Sequence, residues 1–311
     1  MKISVDGGGL GAKAGERFGN YIFSENLLKA LKLYDKKNQY FVYTFENLKP
    51  RLAWMKGRVS LEELKEKKDV FLALNQAFPL YASGKIISFC HGLSYYFYPK
   101  HYSLKDSIRL RNQLDEMIIR SNIIVVSSIK VKKELELIAV KYGNKKNIVV
   151  LPFGIPFDMR EKKQVPKVKK PYFLFVGMDH LIKNISFIKK AFVEIKKDPN
   201  YKKFRLIVAT KGVSRKRLKK LYQGAAALLT ASDYESFNLP VLEALAQGTP
   251  VVGLKTSIIP ELAPYANITN NLNEFVQMTK QISKKPSMKT LKLLSKTFSW
   301  KKYVENLVKL Y

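Results

Sequence analysis

Two glutamates stand eight residues apart in the stretch 231–252, ASDYESFNLPVLEALAQGTPVV. Pro240 suits a first helical position, because its fixed φ fits and its missing N–H would be unpaired there anyway. This places Glu235 in a loop and Glu243 in the first turns of a helix that Gly248 stops, ahead of the strand that Thr249-Pro250-Val251-Val252 begins. The helix start turns free N–H groups and a positive dipole end toward the loop, an arrangement that favours phosphate. Carboxylates accept hydroxyls, so the pair suits one ligand carrying both hydroxyls and phosphates, such as a sugar nucleotide. Lys183 follows Gly177 by six residues at the end of a predicted strand, where βα units hold phosphate. His91 ends another strand, before Gly92, where an imidazole can exchange a proton or a hydrogen bond with a hydroxyl. Gly7-Gly8-Gly9-Leu10-Gly11 follows the first strand and leaves room for backbone to approach a ligand. No Asp-x-Asp occurs anywhere in the chain, which points to a site without a metal, and no cofactor is expected.

Strands and helices alternate along the chain, so parallel, doubly wound α/β sheets must position these residues. The glycine loop, His91 and the Glu235 loop all follow strands, and ligands of open α/β sheets bind beyond the carboxyl ends of strands. The first domain is expected over 1–160. A charged, proline-containing connector, EKKQVPKVKKP, links it onward over 161–171. The second domain is expected over 172–298, with strands at 172–176, 204–209, 226–230 and 251–254. A last helix over 299–311 carries Tyr303, Leu307 and Leu310 on one face.

The 311 residues suffice for two cores of ordinary size, and 46% hydrophobic against 26% charged residues excludes a disordered chain. Cys90 is the single cysteine, so no internal disulfide forms, as suits a reducing cytosol. No signal peptide is evident, and the apolar run near 118–126 is too short and too polar to span a bilayer. The formal net charge of +31 exceeds what solubility asks for. It reads either as lysines spread over solvated faces or as attraction to an anionic partner. Runs such as Lys65-Glu66-Lys67-Lys68, 130–133, 141–146 and 162–170 could rest on an anionic membrane. Tyr95-Tyr96-Phe97-Tyr98 could anchor such a surface or pack into the first core.

The segment ESFNLPVLEALAQGTPVV resembles the signature of glycosyltransferase family 4, a Glu, seven residues and a second Glu within a pattern like EGFGLPxLEAMAxGxPVV. Ser236 and Asn238 replace the two glycines of its EGFG core. The resemblance extends to MKISVDGGGL and GERFGNYIFSENLLKAL, especially in the mannosyltransferase-like branch, to ISFCHGLSYYFYP with Gly92 in place of an Asp, to IIVVSSIKVKKEL and to IVVLPFGIP. It continues through FLFVGMDHLIKNISFIKKAF, where Lys183-Asn184 matches a Lys-Asn pair, to the closing Phe298-Ser299-Trp300. It implies a GT-B fold, two Rossmann-like domains facing across a cleft, with the last helix returning to the first domain. It further implies a retaining, metal-independent glycosyltransferase.

By the same resemblance His91, Lys183 and Glu235 take the catalytic roles. Gly8, Gly9, Gly177, Lys183, Ser236, Phe237, Asn238, Leu239 and Glu243 bind the nucleotide-sugar donor, with Glu243 on the ribose. The arginine that the family places beside the lysine is absent, Met178 and Ile182 standing at its places, and Arg215 or Arg217 is the available substitute. Only Thr210-Lys211-Gly212-Val213 connects strand to helix where the family has a further strand and loop that helps hold the nucleobase. The implied acceptor is lipid-linked or a polysaccharide at the cytoplasmic membrane surface. Two other readings keep the fold, a nucleic-acid-modifying enzyme and a degenerate transferase retained as a binding or scaffold subunit.

Overall fold

The computed structural model describes residues 1–12, 17, 19–143, 146–160, 171–282 and 286–311. The expected connector over 161–171 lies outside the described residues, save Pro171, as do the whole 162–170 charge run and Lys145. The chain forms two units, Met1–Phe153 with Trp300–Tyr311, and Gly154–Ser299.

The first unit holds six parallel strands in the order β2-β1-β3-β4-β5-β6. They are β1 (Lys2–Asp6), β2 (Gln39–Tyr43), β3 (Val70–Ala73), β4 (Lys85–Cys90), β5 (Ile123–Val126) and β6 (Asn147–Val150). Every residue of β3 and β5 is buried, as sheets covered on both faces require, so these strands read as continuous apolar runs rather than alternating ones. The helices are α1 (Gly19–Tyr34), α2 (Ser60–Lys65), the single turn α3 (Ser94–Phe97), α4 (Leu104–Arg120) and α5 (Ile129–Ala139). Ser103 and Ser128 cap α4 and α5 through their side chains.

In the second unit the strand order is β11-β10-β9-β7-β8, again parallel in every pair. The strands are β7 (Tyr172–Val176), β8 (Arg205–Ala209), β9 (Ala227–Thr230), β10 (Val251–Leu254) and β11 (Asn267–Thr269). The helices are α6 (Ile185–Lys196), α7 (Arg215–Gly224), α8 (Leu239–Ala246), α9 (Leu272–Gln281) and α10 (Met288–Thr297). The last helix, α11 (Trp300–Val308), buries Trp300, Tyr303, Val304 and Leu307 and groups with the first unit. Its Trp300 and Tyr303 rings lie 6.1 and 6.2 Å from Phe23 of α1.

Each sheet starts on an inner strand, β1 or β7, with later strands added on both sides. The loops leaving those strands therefore sit where the winding reverses, the place at which open sheets form a ligand crevice. The glycine loop follows β1 and the Gly177–Lys183 loop follows β7.

Three sequence expectations change. Residues 154–160, expected in the first domain, join the second because their bonds are made there. Ile155 N–H donates to Phe298 O at 3.0 Å, and Gln247 Nε2 donates to Met159 O at 2.6 Å. Of the aromatic cluster, Tyr95 is buried and the half-buried Tyr96 packs against the core, which leaves Phe97 as the exposed ring. Lys68, in one of the basic runs, is buried over the Phe41 ring at 4.4 Å and bonded to Glu66, so it adds nothing to an exposed basic face, whereas Lys65 and Lys67 are exposed.

Candidate functional site

In the second unit, the loop after β7 passes through Gly177 and a short turn over Leu181–Lys183 to Asn184, which takes a left-handed φ of 48°. Asparagine is among the few side chains that tolerate this region, and Asn184 Oδ1 then caps α6 by accepting Phe187 N–H. The loop after β9 is tied to it. Asp233 N–H donates to Ile182 O at 2.9 Å, and Asn184 Nδ2 donates to Asp233 Oδ1 at 3.1 Å.

These ties bring Lys183 Nζ to 2.7 Å from Glu235 Oε1, with side-chain exposures of 18% and 8%. Ser232 Oγ donates to the same oxygen at 2.7 Å. A lysine and a carboxylate 52 residues apart thus form one fixed group at the carboxyl ends of neighbouring strands. The cation is held in a dry setting, where its field on an added anion is stronger than in water.

Asn238 repeats the device of Asn184. It adopts φ 66°, caps α8 and donates through Nδ2 to Ser257 O at 2.9 Å, which explains how the chain does without the glycine expected there. The helix begins at Leu239 rather than Pro240. Val241 N–H is taken by Asn238, so α8 offers fewer open donors to an anion than the sequence predicts. The Phe237 ring is buried 6.0 Å from the Phe298 ring, whereas Ser236 and Leu239 are half-buried.

Glu243 departs most from expectation. Its side chain is 3% exposed, Oε1 lies 2.7 Å from Arg215 Nη2, and Oε2 accepts the Tyr222 hydroxyl at 2.9 Å. Arg215 also forks onto Asp158 at 2.8 and 3.0 Å. Burial holds the Glu243 carboxyl above its usual range, against the opposing pull of Arg215. The ribose role expected of Glu243 therefore meets a carboxylate whose two oxygens are already engaged. The physical reason lies in the short connection after β8, which starts α7 with Arg215. That arginine is committed to two carboxylates, and Arg217 is exposed on α7.

In the first unit, Gly8 and Gly9 form a tight turn packed against protein. A Cβ on Gly9 would fall 2.7 Å from Asn75 Oδ1 and 3.1 Å from Ser24 Oγ, and one on Gly8 3.0 Å from Asp6 Oδ1. Neighbouring atoms, rather than only an approaching ligand, require these glycines. His91 Nε2 bonds to Leu74 O at 2.6 Å, and the Phe23 ring lies 4.9 Å away. Gly92 has φ 135°, which only glycine adopts readily, so an Asp there would be strained.

Burial pushes His91 down to about 4, partly opposed by its bond to Leu74. The unfolded chain takes up that proton near 6.5, so His91 stabilises the fold above this pH, and the contribution fades as pH falls from 6.5 to about 4. At pH 5 the loss is about 2 kcal/mol. Urea unfolding at pH 7 and pH 5 should show this excess loss in the wild type and not in His91→Gln. Equal pH dependence in the two proteins would refute it.

Among the described residues no group of three or more His, Cys, Asp or Glu is arranged to hold a metal ion. Ser232, Asp233, Tyr222 and Asp158 escaped sequence reasoning. The signal that could have found the first two was the pair of asparagines, Asn184 and Asn238, each just ahead of a helix.

Residues 207–267 match the family model described as glycosyl transferases group 1. No curated protein matches the sequence. Among solved structures, a sucrose-phosphate synthase from Thermosynechococcus elongatus superposes with a TM-score of 0.75 at 14% identity, covering 100% of this chain and 98% of that one. An α,α-trehalose-phosphate synthase from Burkholderia xenovorans, solved with glucose-6-phosphate, gives 0.69 at 10% identity and 99% of both chains. Anabaena HepE, solved with UDP and glucose, gives 0.64 at 12% identity, over 100% of this chain and 99% of that one. The fold is GT-B, two parallel-sheet Rossmann-like units.

Proposed function

We propose that this chain, a GT-B protein with a glycosyl transferases group 1 segment, moves a sugar from a nucleoside-diphosphate donor to a hydroxyl acceptor. The observation that carries the reading is the Lys183–Glu235 pair at the winding reversal of the second sheet. A fixed ammonium stabilises the charge that develops on the departing diphosphate. Glu235, itself held by the Ser232 hydroxyl, keeps that ammonium in place, so little reorganisation is needed at the moment of bond breaking. In the first unit, His91 is proposed as a neutral hydrogen-bonding group for a sugar hydroxyl.

Transfer is proposed to retain anomeric configuration and to need no metal. A screen of nucleotide sugars for release of free nucleoside diphosphate, with and without EDTA, tests both the class and the metal. UDP-sugars come first, because a structurally similar protein was solved with UDP. Turnover should persist in EDTA. Absence of turnover with every donor would favour a degenerate binding subunit, and loss on chelation restored by Mg²⁺ or Mn²⁺ would refute the metal-independent account.

The acceptor is proposed to be lipid-linked or a polysaccharide, met at an anionic membrane surface. The net charge of +31 supports this reading, and among the described residues no helix is long and apolar enough to cross a membrane. Phe97, Leu104 and Ile108 are exposed apolar residues close in sequence to Lys100 and Lys105. The protein should sediment with anionic vesicles, leave neutral ones, and come off as salt shortens the Debye length below about 10 Å. Changing Phe97, Leu104 and Ile108 together to Ser should weaken the binding that remains in high salt. Indifference to both vesicle types would defeat the membrane reading, and salt-sensitive retention on duplex DNA would favour a nucleic-acid acceptor.

A further inference from the structure

We propose that Asp6 is a positioning residue that fixes the His91 imidazole through the Leu74–Asn75 peptide group, an inference that rests on the part given to His91 above. Asp6 ends β1 and is 1% exposed. Its Oδ1 accepts Gly8 N–H at 2.9 Å, and its Oδ2 accepts both Asn75 N–H and Asn75 Nδ2 at 3.1 Å. None of these partners is charged. Three N–H donors are what a carboxyl group needs when it is buried without a cation. The glycine loop after β1 and the loop after β3 are tied together at this one side chain.

The peptide that serves Asp6 with its N–H serves His91 with its carbonyl. Leu74 O bonds to His91 Nε2 at 2.6 Å. A carbonyl only accepts, so the imidazole must carry its proton on Nε2, and Nδ1 is left with a lone pair. A carboxylate accepting from the N–H of a peptide polarises that group and strengthens its C=O as an acceptor. Leu74 O thereby sets the tautomer of His91, and Asp6 keeps that carbonyl in place by holding the N–H of the same peptide plane, while its other oxygen holds the glycine loop. His91 then presents Nδ1 as the acceptor for a sugar hydroxyl.

Long-range ¹H–¹⁵N spectra of the full chain labelled in its three histidines test this without any donor present. The wild type should show His91 protonated on Nε2 and bare on Nδ1. In Asp6→Asn an amide N–H₂ meets N–H donors, the peptide shifts, and His91 should become a mixture of tautomers. Donor turnover should fall roughly 10- to 100-fold, the size of effect that follows loss of a hydrogen-bond partner orienting a metal-bound imidazole. Asn75→Ala, which keeps the peptide and loses only the side-chain donor, should keep the tautomer. Should Asp6→Asn not fold, Asp6→Ser repeats the measurement. A wild-type His91 protonated on Nδ1, or a folded Asp6 variant with the wild-type tautomer, would overturn the proposal. The tautomer is read in the free protein, so its failure is distinct from failure of the nucleotide-sugar screen.

Discussion

Lys183→Ala should lower donor turnover by about 100- to 1,000-fold, the range seen when one preorganised group facing developing negative charge is removed. The side chain is placed for that task by contacts on both sides. The turn before Asn184 is fixed by Asp233, and the ammonium is fixed by Glu235 at 2.7 Å. Release of nucleoside diphosphate at saturating donor is the measurement, with circular dichroism to show an intact fold. Lys183→Arg keeps the charge but not the compact geometry and should recover only part of the rate. Glu235→Gln should cost less than Lys183→Ala, because an amide oxygen can still accept from Lys183 and Ser232. Turnover of Lys183→Ala within threefold of the wild type would remove this lysine from the chemistry.

Glu243→Ala should destabilise the second unit by about 3 to 5 kcal/mol, since it leaves Arg215 and the Tyr222 hydroxyl without their shared buried partner. For a unit of this size that corresponds to a melting temperature lower by roughly 6 to 20 °C. Glu243→Gln keeps an acceptor for Tyr222 and should fall between the two proteins. Calorimetry with nucleoside diphosphate separates the two roles open to this residue. A Glu243→Gln protein that melts lower yet binds the nucleotide unchanged assigns Glu243 to the Arg215–Asp158 cluster. Loss of binding at unchanged stability would return it to the ribose.

Much of this was written in local sequence. The alternation of apolar runs with helical periods specified parallel α/β sheets, because strands buried on both faces cannot afford polar positions. The helix start within one residue of Pro240, the stop at Gly248 and the apolar face of α11 follow from preferences of single residues and local periodicity, which act without distant partners. The places of Lys183 and Glu235 after strands were legible one residue at a time.

What the sequence could not hold was pairing. Nothing local tells Lys183 that Glu235 stands 2.7 Å away, or tells Glu243 that Arg215 and Tyr222 close over it. Those contacts exist because β7 lies beside β9 and β8 in the second sheet, an order set by how the whole chain winds. The same holds for Asp6 and His91, which meet through a loop from β3 that neither residue's neighbourhood mentions. Local propensity therefore determined which elements form and which residues stand at strand ends. Tertiary structure alone decided which carboxylate meets Lys183 at the strand ends and which is buried against Arg215, because burial and charge pairing are properties of neighbours in space.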